Sequence, residues 1–219
     1  MISIAMDGTF ASGKSSIAKG VSKKLNILYL NSGQLFRACG LYCLENNIDP
    51  NDKEKVVSAI KDIDLSIKYI NGNQHTYLNG VDVSDKLNTP IMGNYSSIVS
   101  VYPEVREKTI GIQRETAKTQ SVIIEGRDIT SHVLPNADYK FYITASEKVR
   151  AHRRYLDFKN SGEKITIKQV LKDLKERDYR DSHRDICPLV RTPDSIYIST
   201  TNLTLDEAIE KVLSYINKK

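Results

Sequence analysis

The feature that most constrains this chain is a glycine-flanked loop near its start, Gly8–Ser15, with the sequence GTFASGKS. It matches the pattern G-x-x-x-x-G-K-[ST], in which glycines permit tight turns and several backbone N–H groups point at a phosphate. The apolar run Ile2–Met6 precedes the loop, and the amphipathic segment Lys14–Leu25 follows it. Because a strand, a loop and a helix in this order form a phosphate site, the chain is expected to bind a nucleotide.

Two side chains of the loop carry the expected chemistry. The Lys14 ammonium can reach the β- and γ-phosphates of a nucleotide, and the Ser15 hydroxyl can ligate Mg²⁺. The positive end of the helix dipole adds to the attraction for phosphate. The plainer alternative is a glycine-containing turn, but the strand and the helix on either side favour a phosphate site.

Short apolar runs alternate with helix-length segments along most of the chain. Five runs indicate buried strands, at residues 2–6, 27–30, 121–125, 138–144 and 195–199. Strands that alternate with helices predict an α/β fold, with a parallel sheet between helices and ligands at the carboxyl ends of the strands. Residues 65–83 instead alternate polar and apolar positions between Asn-Gly turns, which predicts a small antiparallel insertion.

Polar residues mark two of the predicted helix starts. Ser32 is expected to cap a helix over residues 34–45. Thr204 and Glu207 are three residues apart and predict a capping box for the closing helix, Leu205–Asn217.

Composition excludes several classes of protein. The 219 residues carry a net charge of +5, and no apolar run approaches the length of a membrane helix. The three cysteines, Cys39, Cys43 and Cys187, have no disulfide-framework spacing, which is typical of a reducing compartment. We therefore expect a cytoplasmic protein without a signal peptide.

The arginines distinguish among nucleotide-binding classes. Arg37 and Arg127 follow predicted strand ends, and Arg177, Arg180 and Arg184 share one face of a helix. Phosphoryl transfer between two nucleotides brings two polyanions together, and arginine suits this because its fork donates bidentately to phosphate. No Asn-Lys-x-Asp guanine motif is present, so a small kinase is favoured over a GTPase. Taken singly, each arginine could be a solvated side chain or part of an ion pair.

At these residues the chain resembles a family, the bacterial-type cytidylate kinases, within the nucleoside monophosphate kinases. The resemblance covers nearly the whole chain. Its most specific blocks are Glu125–Asp128 (EGRD) and Lys175–Asp181 (KERDYRD). The other matching segments are Gly8–Ser15, Tyr29–Gly33 with Arg37, Val105 with Arg106, Ala151–Arg154, and Arg184 with Pro188 and Leu189.

The resemblance implies an adenylate-kinase-like P-loop NTPase fold in a single domain, 1–219. Its five-stranded parallel sheet, flanked by helices, would carry a monophosphate-binding subdomain with the antiparallel insertion, about residues 31–102. A short lid would span about residues 155–168, with its tip near 159–164. The implied activity is transfer of the γ-phosphoryl of MgATP to CMP and dCMP, by a monomer with Mg²⁺ as cofactor and no nucleic-acid or membrane partner.

The resemblance also implies a role for each group of site residues. The ATP side would comprise Gly8, Thr9, Phe10, Ala11, Ser12, Gly13, Lys14, Ser15, Ser16 and Arg153. The CMP side would comprise Ser32, Arg37, Ser97, Arg106, Arg127, Asp128, Arg177, Asp181 and Arg184. Catalytic contacts would come from Lys14, Arg127, Arg154 and Arg177, and the contact to Mg²⁺ from Ser15.

The chemistry of cytosine agrees with three of these residues. The exocyclic amine of the base is a donor, which Asp128 can accept, and its O2 and N3 are acceptors for Arg106 and Ser97. Uracil reverses the pattern at two positions and would leave groups unpaired, which discriminates strongly.

Some residues depart from the family pattern, and two other functions remain open. Asn31 stands where the family usually has Asp, and Thr9 and Phe10 replace smaller or proline residues. One alternative is a kinase that prefers UMP or AMP. The other is a nucleic-acid-binding ATPase, which predicts a basic stripe with exposed aromatic residues.

Overall fold

The structure is a computed structural model that describes residues 1–160 and 162–216. Within those ranges the chain forms eight strands and eight α-helices. The strands are β1 Ser3–Gly8, β2 Leu28–Asn31, β3 Leu65–Ile70, β4 Asn73–Leu78, β5 Val81–Asp82, β6 Val122–Glu125, β7 Tyr139–Thr144 and β8 Ile196–Ser199. The helices are α1 Lys14–Leu25, α2 Ser32–Glu45, α3 Lys53–Lys61, α4 Pro90–Val99, α5 Pro103–Thr119, α6 Glu147–Asn160, α7 Ile167–His183 and α8 Leu205–Ile216.

Five strands form one parallel sheet in the order β2-β6-β1-β7-β8. Successive residues of β1 point to opposite faces, as the pleat of a strand requires. Ile4 and Met6 pack with residues of α1 and α8, whereas Ala5 packs on the other face with Ile110 of α5. The five-stranded parallel sheet flanked by helices is therefore confirmed.

The predicted antiparallel insertion is also confirmed, as a three-stranded sheet in the order β3-β4-β5. It docks on the edge strand β2 of the large sheet. The Gln74 side chain accepts from the N–H of Asn31 at 2.7 Å and donates to the Asn31 carbonyl at 3.4 Å. Gln74 thus satisfies edge backbone groups that would otherwise lie unpaired.

Helices α6 and α7 enclose a small apolar cluster of their own. Its buried members are Ala151 of α6 and Val170 and Leu174 of α7. Phe10 of the glycine-flanked loop packs against this cluster. The loop is therefore in direct contact with both helices.

The capping box is confirmed, and the capping role expected of Ser32 is wrong. The Thr204 hydroxyl accepts from the N–H of Glu207, whose carboxylate accepts from the N–H of Thr204 at 2.8 Å. Helix α2 begins at Ser32 itself, so Asn31 occupies the capping position. The Ser32 hydroxyl does not cap the helix, because it donates to the Glu125 carbonyl at 2.8 Å.

Parts of two sequence-based expectations fall on residues that the structure does not describe. The expected lid tip, 159–164, includes Ser161, and the predicted closing helix ends at Asn217. In the described part of the chain, no helix combines the length and apolar character needed to cross a bilayer.

Candidate active site

A cavity of about 430 Å³ opens at the carboxyl ends of β1, β2 and β6. It lies where ligands bind in parallel α/β sheets. Most of the predicted site residues line it: Phe10, Ala11, Ser12, Gly13, Lys14, Ser15, Ser16, Ser32, Arg37, Ser97, Arg127, Asp128, Arg153, Arg154, Arg177, Asp181 and Arg184. Of the described residues predicted for the site, Gly8, Thr9 and Arg106 do not line the cavity.

The first glycine and the last glycine of the loop have separate structural reasons. Gly8 lies so close to the backbone of β7 that a Cβ at this position would be 1.9 Å from the carbonyl oxygen of Ile143. Gly13 takes the left-handed conformation, with φ of +86°, directly before the start of α1. The N–H groups of the first turn of α1 therefore open toward the cavity.

Lys14 and Ser15 face the same carboxylate. The Lys14 ammonium lies 3.8 Å from Glu125 Oε2, and the Ser15 hydroxyl donates to Glu125 Oε1 at 2.8 Å. Burial lowers the pKa of Lys14 to about 7, with Arg127 adding to the decrease and Glu125 opposing it. Lys14 is thus a buried cation that a polyphosphate would stabilise in its charged form.

The same oxygens fit a divalent cation. Mg²⁺ prefers carboxylate, hydroxyl and phosphate oxygens, and it keeps several waters. Ser15 Oγ and the Glu125 carboxylate present such oxygens side by side, next to the loop that would hold the phosphates. The donor set therefore suits a magnesium ion that arrives with a nucleotide.

At the opposite end of the cavity, Asp128 is buried between two arginines. Arg106 donates to one carboxylate oxygen of Asp128, and Arg184 donates to the other at 3.2 Å. A second Arg106 nitrogen donates to the Ser100 carbonyl at 3.0 Å. Ser97 Oγ is buried and has no hydrogen-bond partner among the residues described. Asp128 and Ser97 therefore offer an acceptor and a free hydroxyl to the same space.

Arg127 also lines the cavity and pairs with Asp181, another lining residue, at 2.7 Å. Burial would raise the pKa of Asp181, but the charges of Arg127 and Arg177 outweigh it and hold that pKa below its usual range. Because Arg106, Arg127 and Arg184 are each bonded to Asp128 or Asp181, the two aspartates that line the cavity, we call them the paired arginines.

Two other arginines, which we call the stacked arginines, lie against aromatic rings. The guanidinium carbon of Arg177 is 4.2 Å from the centroid of the Phe10 ring, and that of Arg154 is 5.8 Å from it. Arg154 also lies 4.2 Å over Phe158 and 3.7 Å from the exposed Asp157. Neither Nε has a hydrogen-bond partner in the described ranges. Burial lowers the pKa of Arg177 to about 9, so it stays charged at neutral pH.

A second cavity of about 190 Å³ adjoins the loop on its other side. Leu203, Leu205 and Ala208 supply its apolar wall, and Arg153 lines both cavities. Arg153 is fixed by donating to the Thr200 carbonyl at 2.9 Å. This apolar recess next to the phosphate loop has the character of a site for a nucleobase.

Arg37 lines the main cavity from α2. One of its terminal nitrogens donates to Asn88 at 3.3 Å. Burial lowers its pKa, and Glu125 opposes that decrease.

Three acidic residues hold the site together, and we did not predict a role for any of them. Glu125 joins Lys14 to Ser15, as described above. Asp178 of α7 accepts from the Phe10 N–H at 3.0 Å. Asp7 is fully buried and accepts from Ile129 N–H at 2.9 Å and from the N–H and the hydroxyl of Thr130.

Two of these three acidic residues had a signal in the sequence. Glu125 is the last residue of β6 and Asp7 the last but one of β1, at the edge of the parallel sheet where functional side chains gather. Asp178 lies within the block Lys175–Asp181, but its contact with Phe10, 168 residues away along the chain, could not be inferred from that block.

The fold and the site together define a P-loop kinase: a parallel sheet, a phosphate loop with a buried lysine, and a cavity crowded with arginines. Comparison with known proteins gives the family. A family model described as cytidylate kinase matches residues 4–218. The chain therefore belongs to the cytidylate kinase family, which confirms the resemblance stated from the motifs.

Named relatives agree over almost the full length of the chain. A cytidylate kinase of Clostridium botulinum is 43% identical over 217 residues, covering 99% of this chain and 98% of the relative. One from Caldicellulosiruptor bescii is 41% identical, covering 99% of this chain and 96% of its own. One from Lactobacillus johnsonii is 40% identical over 219 residues, covering 100% of this chain and 95% of the relative.

Solved structures share the fold. An uncharacterized protein from Eubacterium ventriosum superposes with a TM-score of 0.57 at 14% identity, covering 100% of both chains. A shikimate kinase from Bacteroides thetaiotaomicron superposes with a TM-score of 0.51 at 8% identity, covering 99% of this chain and 98% of the other. At these identities the likeness concerns the fold alone.

Proposed function

We propose that this protein transfers the γ-phosphoryl of MgATP to CMP and dCMP, giving ADP and CDP or dCDP. The observation that carries the proposal is one cavity with two chemically different ends. One end is the phosphate loop with the buried Lys14. The other is the buried Asp128, held by arginines and close to the free hydroxyl of Ser97. The name of the relatives, cytidylate kinase, supports CMP as the acceptor.

The loop and the second cavity would hold the donor. Backbone N–H groups from Gly8 to Ser16 would cradle the polyphosphate, and the adenine would enter the apolar recess beside Arg153. Mg²⁺, bound to ATP and contacted by Ser15 and Glu125, would neutralise phosphate charge. Lys14 regains its full charge as it pairs with the phosphates, so its burial favours binding of an anion.

The Asp128 end would read the base of the acceptor. Asp128 would accept from the exocyclic amine of cytosine, and Ser97 would donate to a ring acceptor. Arg106 lies behind Asp128 and fixes its carboxylate, and its buried Nε–H has no partner among the described residues. Because Arg106 does not line the cavity, a direct contact from it to the base stays a prediction. Uracil, which has a carbonyl in place of the exocyclic amine, would set an acceptor against the acceptor Asp128.

Phosphoryl transfer would then need positioning and charge, with no general base. The acceptor phosphate is already an anionic nucleophile, so no proton has to be removed. Arg37 and Arg127 would orient it, together with Ser32, Asp181 and Arg184 along the wall. The transferred phosphoryl would face three further side chains that line the cavity, Lys14, Arg154 and Arg177.

Several further properties belong to the same proposal. The chain would act as one domain and as a monomer in the cytoplasm, with no nucleic-acid or membrane partner. Residues 31–102 would form the monophosphate-binding subdomain. Residues 155–168 would form a lid that excludes water when both substrates are bound, which prevents hydrolysis of ATP.

The test is a coupled assay of ADP release with MgATP against CMP, dCMP, UMP, AMP and no acceptor. We expect strong turnover with CMP and dCMP alone. Turnover with UMP or AMP at a similar kcat/KM would overturn the role of Asp128 in reading cytosine. ADP release that does not depend on an acceptor would overturn the kinase assignment in favour of an ATPase.

A further inference from the structure

The backbone of residue 10 is bonded to both helices that carry the stacked arginines. The Phe10 N–H donates to Asp178 of α7 at 3.0 Å, and Arg150 of α6 donates to the Phe10 carbonyl at 2.9 Å. Arg150 and Asp178 also pair with each other. The loop, α6 and α7 therefore meet at this one residue, which fixes where its side chain lies.

The Phe10 ring lies between the apolar cluster and the cavity. It packs with the cluster that contains Ala151, Val170 and Leu174, and it also lines the cavity. On the cavity side it meets Arg177 at 4.2 Å and Arg154 at 5.8 Å. One ring thus contacts an arginine from each helix.

Contact with a ring holds an arginine without neutralising it. A carboxylate fixes a guanidinium strongly but occupies its N–H groups and cancels its charge. An aromatic face attracts the cation through its quadrupole and leaves the N–H groups free in the plane of the guanidinium. In the described part of the chain, Nε of both stacked arginines is buried and has no hydrogen-bond partner, a property that Arg106 of the paired group shares. Arg177 forms no ion pair within the described residues, whereas Arg154 lies 3.7 Å from the exposed Asp157.

We propose that Phe10 is a positioning residue whose ring holds Arg154 and Arg177 in place with their donors free for the transferred phosphoryl. This rests on the proposed phosphoryl transfer and adds a role for the side chain, beyond the backbone contacts of the phosphate loop. The ring contacts the guanidinium groups and acts on the phosphoryl group only through them.

The first experiment compares Phe10→Leu with Phe10→Tyr. Leucine keeps apolar volume for the cluster but removes the ring, whereas tyrosine keeps the ring. We expect kcat to fall about tenfold in Phe10→Leu, because a desolvated cation–π contact is worth about that factor. The KM for the acceptor should change less than threefold, and Phe10→Tyr should stay within threefold of the wild type in kcat.

Leu171→Ala is the matched control. Leu171 of α7 packs on the same apolar cluster and lies outside the proposed lid. If Phe10 serves packing alone, Phe10→Leu and Leu171→Ala should lower the melting temperature alike, and kcat should fall by the same factor in both. That outcome, or an equal fall of kcat in Phe10→Tyr, would overturn the proposal.

A double-mutant cycle tests whether the ring acts through Arg177. In an Arg177→Met background, Phe10→Leu should lower kcat by about twofold instead of tenfold, since only its contact with Arg154 remains. An undiminished tenfold fall in that background would overturn a role through Arg177.

Direct binding keeps this test separate from the substrate assignment. The dissociation constants of MgATP and MgADP, measured by calorimetry on the full chain, need no acceptor. We expect Phe10→Leu to weaken MgATP binding several-fold more than MgADP binding, because the γ-phosphoryl is the group that the stacked arginines face. Equal weakening of the two would overturn the proposal. An enzyme that phosphorylates no cytidine nucleotide would overturn the proposed function and leave this comparison intact.

Discussion

The paired and the stacked arginines differ in how the fold holds them. Each paired arginine is bonded to Asp128 or Asp181, both of which line the cavity. The stacked arginines come from α6 and α7 and lie over the Phe10 ring. The paired group has its charge balanced by buried aspartates and its geometry fixed. Of the stacked group, Arg177 has no ion pair among the described residues, and Arg154 has only the exposed Asp157 at 3.7 Å.

This difference separates recognition from catalysis on physical grounds. A site that reads shape needs fixed donors and acceptors, because an unpaired group discriminates only if it cannot turn away. A site that stabilises a transition state needs positive charge that is not already neutralised. We therefore expect substitutions in the paired arginines to act mainly on KM and substitutions in the stacked arginines to act mainly on kcat.

The largest effect should come from Lys14, the buried cation of the phosphate loop. Lys14→Met removes the ammonium and should lower kcat by more than about 10³-fold, because no other group of the loop supplies that charge to the phosphates. The coupled assay measures it, and a thermal melt checks that the variant is folded. A variant that keeps a tenth of the activity would contradict the placement of the phosphates on this loop.

Arg177→Met should have the next largest effect and is the sharpest test of the comparison. It removes a charged, unpaired group, and we expect kcat to fall about 10²-fold to 10³-fold. The KM for CMP should change less than threefold. Initial rates at varied CMP under saturating MgATP separate the two constants. A rise in KM with unchanged kcat would place Arg177 with the paired group.

The parallel core and the phosphate loop were predictable because their signals are local. The apolar runs and the pattern of Gly8–Ser15 locate the strands and the loop along the chain within a few residues, although they do not give the order of the strands in the sheet. The insertion was equally readable from its Asn-Gly turns. A capping box is a three-residue pattern, so the pairing of Thr204 with Glu207 could also be foreseen.

What could not be predicted depends on distant contacts. Ser32 has the chemistry of a helix cap, but the Glu125 carbonyl, 93 residues away, takes its hydroxyl. Arg106 and Asp128 could both be named for the site, yet the sequence did not indicate that the arginine lies behind the carboxylate. The ring of Phe10 under two arginines likewise depends on how α6 and α7 close over the loop.

Asp7, which accepts hydrogen bonds from Ile129 and Thr130, should make the stability of the protein depend on pH. Burial raises the pKa of Asp7 to about 6, the hydroxyl of Thr130 opposes the rise, and the charge of Asp128 adds to it. The unfolded pKa is about 4, so between pH 4 and 6 the folded state binds more protons than the unfolded state. The free energy of unfolding contributed by Asp7 should therefore fall as the pH rises through that window, by up to about 3 kcal/mol.

The measurement compares the wild type with Asp7→Asn by urea unfolding from pH 4 to pH 8. The free energy of unfolding of the wild type, relative to that of the variant, should decrease between pH 4 and 6 and stay constant above pH 6. Other titrating groups are common to both proteins and cancel in the difference. A difference that does not vary with pH would mean that Asp7 is ionised with an ordinary pKa.

The smallest effect should come from Arg184→Met, the counterpart of Arg177→Met in the paired group. Arg184 donates to Asp128 at 3.2 Å and to the Cys187 carbonyl at 2.6 Å, so its charge is already balanced. Its loss leaves Asp128 bonded to Arg106 but free to turn. We expect the KM for CMP to rise about tenfold, equivalent to about 1.4 kcal/mol, with kcat within threefold. A loss of kcat as large as that of Arg177→Met would show that balanced charge at this site still serves the transition state.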